Sequence, residues 1–470
     1  MKEKKQPSFY LTLLPILAMI VLTSVGYIIN EIQIEPIILI ATVLAVLIAY
    51  KHGYTWDEIM DKITEKIAKA LPAILILVIV GILIGTWMFG GTIPLMMYYG
   101  LKIINPEHLL ITAFWVTSIT SVCTGTSWGS AGTIGVALMG VAAGLGVNNA
   151  AVAGAVISGA YFGDKLSPLS DTTNLAPIAA GSNLYDHIKH QLWTTLPSFI
   201  LASIVYIIVG LKTGQAADTP EKVKIIMEFL SGNFDLNIFL LIPVILVLGG
   251  SILKKPTIPV MIISSLISIF NGIFFQHLSL KQGFTAMMNG FNISMLPGVN
   301  ASEVIPDILK LLNRGGASSM LGTVLMAYFA FSFAASIDII GGFESIISRI
   351  VKANSGRFKL IATTLATCLT TVAVTCNGAL SILLCGEMFQ ESFIRAKLDP
   401  KNLSRCLEDA ITVTETLMPW TLAGAYMATT LGVPTLEYLP WAVLNYSGII
   451  FALIWAYTGI GIAKLPETKE

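Results

Sequence analysis

The feature that most constrains this chain is a sequence pattern that returns after 251 residues. The run Asp164-Lys-Leu-Ser-Pro168 returns as Glu415-Thr-Leu-Met-Pro419, and Thr124-Gly-Thr126 returns as Thr375-Cys-Asn377. The glycine pair at 90–91 returns at 341–342 with the same offset. A constant offset over so long a stretch predicts a duplicated unit. Each copy combines an acidic residue inside an apolar segment with a helix that is interrupted by polar residues.

The composition predicts that the duplicated unit lies in a lipid bilayer. Hydrophobic residues make up 55% of the 470 residues and charged residues 12%, and the mean hydropathy is +0.78. About 12–14 hydrophobic segments follow one another along the chain, so the predicted fold class is an all-α polytopic membrane protein. Segments 90–104 and 417–436 are interrupted by glycine and proline, and we expect interrupted helices or re-entrant hairpins there. The net charge of 0 gives no indication of a nucleic-acid partner.

Basic residues predict the topology of the two halves, since Lys and Arg concentrate in cytoplasmic loops. Lys2, Lys4 and Lys5 predict a cytoplasmic N-terminus, and the C-terminal tail is expected on the same side. Where the first half has an uncharged turn at 144–150, the second half carries four basic residues: Arg395, Lys397, Lys401 and Arg405. This alternation predicts two repeats of inverted topology. Their expected bounds are 1–211 for the first repeat, 212–235 for a polar linker and 236–470 for the second, inverted repeat.

The strongest candidate site is the polar run that follows the Ala- and Gly-rich segment 148–163. Pro168 and Pro177 interrupt regular helix there, which leaves backbone carbonyls in need of partners. Hard monovalent cations prefer oxygen ligands together with a carboxylate that balances their charge. The candidate ligands in this run are Asp164, Ser167, Asp171, Thr172 and Asn174. The alternative interpretation is a polar loop at the membrane face in which Lys165 pairs with an acid.

The second candidate site is the interrupted helix of each copy. Thr124, Thr126 and Ser127 offer hydroxyls beside a glycine in the first copy, and Thr375 and Asn377 keep a hydroxyl and an amide in the second. A broken helix presents unpaired amides or carbonyls to a ligand. Alternatively, these hydroxyls bond back to their own helix. Recurrence at the same offset favours the functional interpretation.

Acidic residues of the second half supply a third candidate group. On a helix over 403–416, Glu408, Thr412 and Glu415 would fall on one face, with Asp409 beside it. A carboxyl group in apolar surroundings can hold a proton near neutral pH, and a bound cation favours the ionised form. Asp338 is a further acid in an apolar run, and the histidines, His187 and His190 among them, are expected at helix ends.

The two first-half motifs resemble the NhaC family of Na⁺/H⁺ antiporters. The resemblance rests on Thr124-Gly-Thr-Ser-Trp-Gly-Ser130 and Gly163-Asp-Lys-Leu-Ser-Pro-Leu-Ser-Asp-Thr-Thr-Asn174, and the second-half run Thr414–Trp420 also matches. The family includes antiporters that exchange malate and lactate with H⁺ and Na⁺. The resemblance implies inverted repeats with helical hairpins, with the candidate residues of both copies in or beside one ion site.

We therefore expect a Na⁺/H⁺ antiporter of the cytoplasmic membrane that works by alternating access. In this hypothesis Asp164, with Glu415 or Asp409 as a further candidate, holds Na⁺ and H⁺ alternately, and Asp164 is the Na⁺ candidate. The alternative is a Na⁺- or H⁺-coupled organic-acid exchanger in which Lys165 holds a small carboxylate. A passive channel is less consistent with the duplication, and no nucleophile–base pair or phosphate loop indicates an enzyme. No cofactor is expected. The expected partners are the lipid bilayer and the transported ions, and a homodimer is left open.

Overall fold

The computed structural model describes residues 7–23, 25–26, 32–213, 220–253, 255–342 and 356–465. The basic N-terminal residues on which the predicted orientation rests lie outside these ranges. Within them the chain is helical, and the one β-bridge is an isolated antiparallel pair, Leu398 with Lys464. The predicted all-α class with interrupted helices is therefore confirmed.

Eleven α-helices precede residue 236 in the described ranges. They are α1 (Phe9–Leu22), α2 (Ile34–Lys51), α3 (Trp56–Phe89), α4 (Thr92–Ile103), α5 (Leu109–Thr124), α6 (Ser127–Ser130), α7 (Val136–Leu145), α8 (Asn149–Leu166), α9 (Asp171–Ala180), α10 (Leu184–Thr213) and α11 (Pro220–Asn233). A π-helical turn over Ala131–Gly135 joins α6 to α7. The predicted linker thus contains a helix, α11, which packs against α4 and α7.

Twelve α-helices follow in the described part of the second half. They are α12 (Ile242–Ile252), α13 (Thr257–Phe274), α14 (Leu280–Asn289), α15 (Pro306–Leu312), α16 (Leu321–Ile339), α17 (Arg357–Thr375), α18 (Gly378–Arg395), α19 (Pro400–Leu407), α20 (Val413–Glu415), α21 (Leu422–Leu431), α22 (Thr435–Tyr438) and α23 (Val443–Thr458). A π-helical turn over Glu408–Thr412 joins α19 to α20.

Seven helices of the described ranges are long and apolar enough to cross a membrane, or up to nine if each of two bent pairs forms one span. The predicted number of hydrophobic segments was larger. Some of these segments form short helices, such as the 16-residue α5, and the segment at 403–416 is divided by its π turn. Hydropathy alone does not separate such broken or short helices from full spans.

Equivalent positions of the two copies have the same backbone conformation. Gly125 (φ 68°) and Cys376 (φ 55°) both end a helix in the left-handed region, and so do Gly146 (φ 66°) and Lys397 (φ 56°). This region is unfavourable for residues other than glycine. The second copy therefore keeps the turn geometry where it has lost the glycine. Two pairs of equivalent positions thus share a backbone conformation, whereas the division into two inverted repeats stays a prediction.

Helix starts are set by side-chain caps at equivalent positions as well. Asn148 accepts a hydrogen bond from the Ala150 N–H at the start of α8, and Asp399 accepts one from the Lys401 N–H at the start of α19. Such caps satisfy backbone donors that have no partner within the helix. The segment that begins at each cap contains the acidic residue of that copy, Asp164 or Glu415, so the cap helps to set the position of the carboxylate.

Candidate functional site

The first helix break lies between α5 and α6. The Thr126 side chain accepts a hydrogen bond from the Gly129 N–H (3.2 Å) and so caps α6. The Thr124 and Ser130 hydroxyls lie 3.2 Å apart, and Ser130 donates to the Thr126 carbonyl (2.8 Å). These hydrogen bonds fix the geometry of the break. The N-terminus of α6 faces the space next to the break.

The second break, between α17 and α18, has the same set of hydrogen bonds. Asn377 accepts from the Leu380 N–H (2.9 Å), and the Thr375 and Ser381 hydroxyls lie 2.6 Å apart. Ser381 donates to the Asn377 carbonyl at 2.8 Å. Thr375 is fully buried behind the break, so its hydroxyl maintains the turn.

The acidic residue of each copy lies at the N-terminus that its own break creates. Ser127 Oγ donates to Asp164 Oδ2 at 2.8 Å, and the Ser127 backbone N–H is directed at the same carboxylate. In the second copy the backbone N–H groups of Gly378 and Ala423 are directed at the Glu415 carboxylate. The positive end of a helix stabilises a negative charge placed there.

The two copies differ in the length of both side chains at this contact: the longer acid faces the smaller residue. A Cβ atom at Gly378 would lie 2.5 Å from Glu415 Oε2, so glycine leaves room for the longer acid. At the equivalent positions Ser127 faces the shorter Asp164 and reaches it with its hydroxyl. The pairs Asp–Ser and Glu–Gly therefore bring a carboxylate next to a helix N-terminus by different means.

A cavity of about 680 Å³ joins the two breaks. Nine of the twelve predicted site residues line it: Thr124, Thr126, Ser127, Asp164, Asp171, Thr172, Asn174, Asn377 and Glu415. Ser167, Thr375 and Asp409 do not contribute to this lining. Among the described residues of the lining, the carboxyl groups of Asp164, Asp171 and Glu415 outnumber the Lys255 ammonium, so this part of the cavity has a negative formal charge and attracts cations.

The loop after α8 contributes a polar wall. Ser170 caps α9 by accepting from the Thr173 N–H (3.4 Å), and its hydroxyl lies 3.2 Å from that of Thr172. The Asn174 amide donates to the carbonyls of Pro168 (2.9 Å) and Ser170 (2.7 Å). Ser167 is buried and accepts from the Leu169 N–H (3.3 Å), so it shapes the turn.

Lys165 and Asp409 form a buried ion pair outside the cavity. The Lys165 ammonium donates to Asp409 Oδ1, and the Thr194 hydroxyl donates to the same oxygen at 3.0 Å. Lys165 therefore pairs with an acid, as one alternative in the sequence analysis expected. Because its ammonium lies outside the cavity, the geometry does not support Lys165 as the cation that holds a carboxylate substrate. The π turn at Glu408–Thr412 also shifts the expected helical face, so that Glu415 lines the cavity and Glu408 does not.

Two further expectations are corrected by tertiary contacts. Asp338 is not a bare acid, because it lies 3.3 Å from the Lys66 ammonium and 3.5 Å from that of Lys62. These groups line a second cavity of about 260 Å³, which shares Asn377 with the first. His187 and His190 are buried instead of interfacial, with ring nitrogens 2.7 Å from Ser404 Oγ and 3.1 Å from Asn402 Oδ1 respectively.

Sequence reasoning missed several residues of the cavity. Trp128 lines it and stacks on Tyr426 at a ring distance of 4.5 Å, and the Tyr426 hydroxyl donates to the Trp128 carbonyl at 2.6 Å. Ser251 and Lys255 line it from the end of α12 and the turn that follows. Trp128 lies within the first-half motif, which was a usable signal. The basic turn after α12 was interpreted only as a sign of topology.

Known proteins resemble this chain over nearly its whole length. A family model described as the Na⁺/H⁺ antiporter family matches residues 159–460. An uncharacterized Na⁺/H⁺ antiporter of Haemophilus influenzae is 52% identical over 96% of each chain. The Na⁺/H⁺ antiporter NhaC of Alkalihalophilus pseudofirmus is 36% identical over 99% of this chain and 98% of its own. A malate-2H⁺/Na⁺-lactate antiporter of Bacillus subtilis is 33% identical over 98% of this chain and 96% of its own.

Proposed function

Because the chain belongs to the Na⁺/H⁺ antiporter family, we propose that it exchanges Na⁺ for H⁺ across the cytoplasmic membrane by alternating access. The observation that carries this proposal is the negatively charged cavity that contains Asp164 and Glu415 at the two helix breaks. A multi-pass membrane protein with a site of this kind needs no resident cofactor, since Na⁺ and H⁺ are its cargo.

Asp164 is the proposed Na⁺ ligand. Its carboxylate is buried, faces the cavity and has the Ser127 hydroxyl at 2.8 Å, so an oxygen-rich position for a hard cation lies next to it. Thr126, Thr172 and Asn174 offer further oxygens in the same lining. Na⁺ and a proton compete for the negative charge of Asp164, because either one offsets the burial of that charge. This competition couples the two ions.

Alternation is proposed to arise from the duplicated helix breaks. The predicted repeats, 1–211 and 236–470, each contribute one break and one acid to the same cavity, and this is the arrangement around which inverted repeats rock. Lys255 lines this cavity, and Lys62, Lys66 and Lys69 line the second one. Since basic residues concentrate on the cytoplasmic side, we assign the cavity as open to the cytoplasm.

The second candidate function is Na⁺- or H⁺-coupled exchange of a small organic acid. The volume of the cavity favours it, because about 680 Å³ is far more than one ion occupies. The Lys255 ammonium and the helix N-termini at Ser127 and Gly378 are groups that could hold a carboxylate. In this alternative the Asp164 region remains the site of the coupling ion.

A flux assay in liposomes separates the two candidates. The purified protein is reconstituted with a trapped pH dye, and Na⁺, Li⁺ or K⁺ is added with and without malate and lactate. Proton movement on Na⁺ or Li⁺ alone supports the cation/proton antiporter. Proton movement only in the presence of an organic acid supports the exchanger, and linear flux without any pH coupling contradicts both.

A further inference from the structure

A buried group of charges lies behind the cavity wall, around the π turn that follows α19. Arg405, Glu408 and Asp409 are 0% exposed, and Lys165 is 1% exposed. None of these four residues lines the cavity described above. Lys165 is nevertheless the chain neighbour of Asp164, so this buried cluster adjoins the proposed Na⁺ ligand directly.

Three of the four charges have a hydrogen-bond partner. Lys165 donates to Asp409, which also accepts from Thr194. Arg405 donates from one of its nitrogens to the Gly461 carbonyl at 2.7 Å. In the pair of Lys165 and Asp409, each buried group has a close partner of opposite charge, which offsets part of the cost of its desolvation.

Glu408 is different from its neighbours. Neither of its carboxyl oxygens has a hydrogen-bond partner within the part of the chain that the structure describes. The Thr412 hydroxyl on the same π turn is buried and directed at the Glu408 carboxyl group, but the two groups do not meet the geometry of a hydrogen bond. An ionised carboxylate that is buried without a hydrogen-bond donor is strongly unfavourable, whereas the neutral, protonated form is tolerated. Asp164, by contrast, has the Ser127 hydroxyl and N–H as donors to its carboxylate.

Charge balance connects Glu408 to the Na⁺ site. The charged groups that face Glu408 are Lys165 and Asp164 on α8 and Asp409 on its own segment, and Arg405 lies one turn earlier. The carboxyl groups of Asp164, Glu408 and Asp409 thus share two cations, which leaves one negative charge in excess when all three are ionised. A proton on Glu408 removes that excess, and so does a Na⁺ ion at Asp164.

We propose that the proton that competes with Na⁺ for the charge of Asp164 is held by Glu408, outside the cavity lining, and that Na⁺ binding at Asp164 expels it through charge instead of direct displacement. This inference rests on the proposed Na⁺/H⁺ function. In the Na⁺-free state the carboxyl group of Glu408 carries the proton. When Na⁺ binds at Asp164, Glu408 releases the proton to water, and the three carboxylates are then balanced together by Na⁺, Lys165 and Arg405. The total charge of the cluster is the same in both states.

The variant Glu408→Gln tests this inference in proteoliposomes. Glutamine has the shape of the protonated acid, so the variant should fold and should retain radioactive Na⁺/Na⁺ self-exchange. We expect it to lose Na⁺-driven proton flux, measured as protons moved per Na⁺. The matched control is Glu387→Gln, because Glu387 is an exposed acid on α18. The control should keep the wild-type ratio.

The outcomes separate the two proposals. Absence of Na⁺-driven proton flux in the wild-type protein would overturn the proposed function and the role of Glu408 with it. Coupled wild-type flux together with an unchanged ratio of protons to Na⁺ in Glu408→Gln would overturn the role of Glu408 alone. A lower ratio with self-exchange retained supports it.

A second measurement does not need the Glu408→Gln variant and so covers the case in which that variant does not fold. Infrared difference spectra are recorded on adding Na⁺ to protein that carries ¹³C-labelled glutamate. We expect loss of a protonated-carboxyl band that shifts with the glutamate label and persists in Glu415→Gln. A Na⁺-sensitive band that ignores the label, or one that disappears in Glu415→Gln, would contradict the proposal.

Discussion

Replacing Asp164 by asparagine is the most direct perturbation of the proposed Na⁺ site. The change removes one negative charge and keeps the shape of the side chain. The amide oxygen can still accept the bond that Ser127 donates to the carboxylate at 2.8 Å. We therefore expect Asp164→Asn to fold and to lose Na⁺ binding.

The size of the effect follows from the burial of Asp164, which is 7% exposed. Two unit charges about 4 Å apart interact by about 4 kcal/mol at an effective dielectric constant of about 20. Because each 1.4 kcal/mol corresponds to a factor of about ten, the apparent Na⁺ affinity should fall about 1,000-fold. At millimolar Na⁺ this removes measurable exchange.

The assay is Na⁺-driven proton flux in dye-loaded liposomes over a range of Na⁺ concentrations. The matched control is Asp186→Asn, since Asp186 is an exposed acid of α10, and it should behave as the wild-type protein. The chromatographic profile of each variant checks that it is folded. Saturable exchange by Asp164→Asn with an apparent Na⁺ affinity less than about tenfold weaker would refute the electrostatic reasoning.

Three further changes test the second copy. Glu415→Gln should slow Na⁺-driven proton flux, and normal kinetics would confine the site to the first copy. Gly378→Ala should reduce flux in the same assay, because its Cβ would lie 2.5 Å from Glu415 Oε2 and force the carboxylate to move; unchanged flux would show that Glu415 needs no fixed position. Thr375→Val removes a buried hydroxyl pair of 2.6 Å and should lower stability by about 1–3 kcal/mol, measured by unfolding in detergent. Thr370→Val on the same helix is its control and should unfold as the wild-type protein does.

Local sequence was sufficient to locate the two helix breaks. Gly125 permits a left-handed helix end, and Thr126 and Asn377 are residues that cap a following helix, so the chemistry of each break is contained in a few neighbouring residues. The repeat offset extended this reasoning to Cys376, which adopts φ 55° although it is not glycine. The offset thus located the second break, whereas the left-handed conformation of Cys376 is seen only in the structure.

The partners of the charged residues could not be read from the sequence. Lys165 pairs with Asp409 over a separation of 244 residues, and Lys66 pairs with Asp338 over 272. Such pairs depend on which helices become neighbours. The prediction that Glu408 and Glu415 share one helical face was also wrong. The π turn contains one residue more than a regular α-helical turn, and this moves Glu408 away from the face of Glu415.

The sequence by itself determined the membrane class, the two helix breaks and the acid that belongs with each break, because composition and local backbone preferences act over short distances. Only the tertiary structure decided which carboxylates face the cavity and which are neutralised behind it. Asp164 and Glu415 reach the cavity, Asp409 is paired with Lys165, and Glu408 is enclosed without a hydrogen bond in the described part of the chain. The physical reason is that the state of a buried charge depends on the groups that packing brings near it, wherever they lie in the chain.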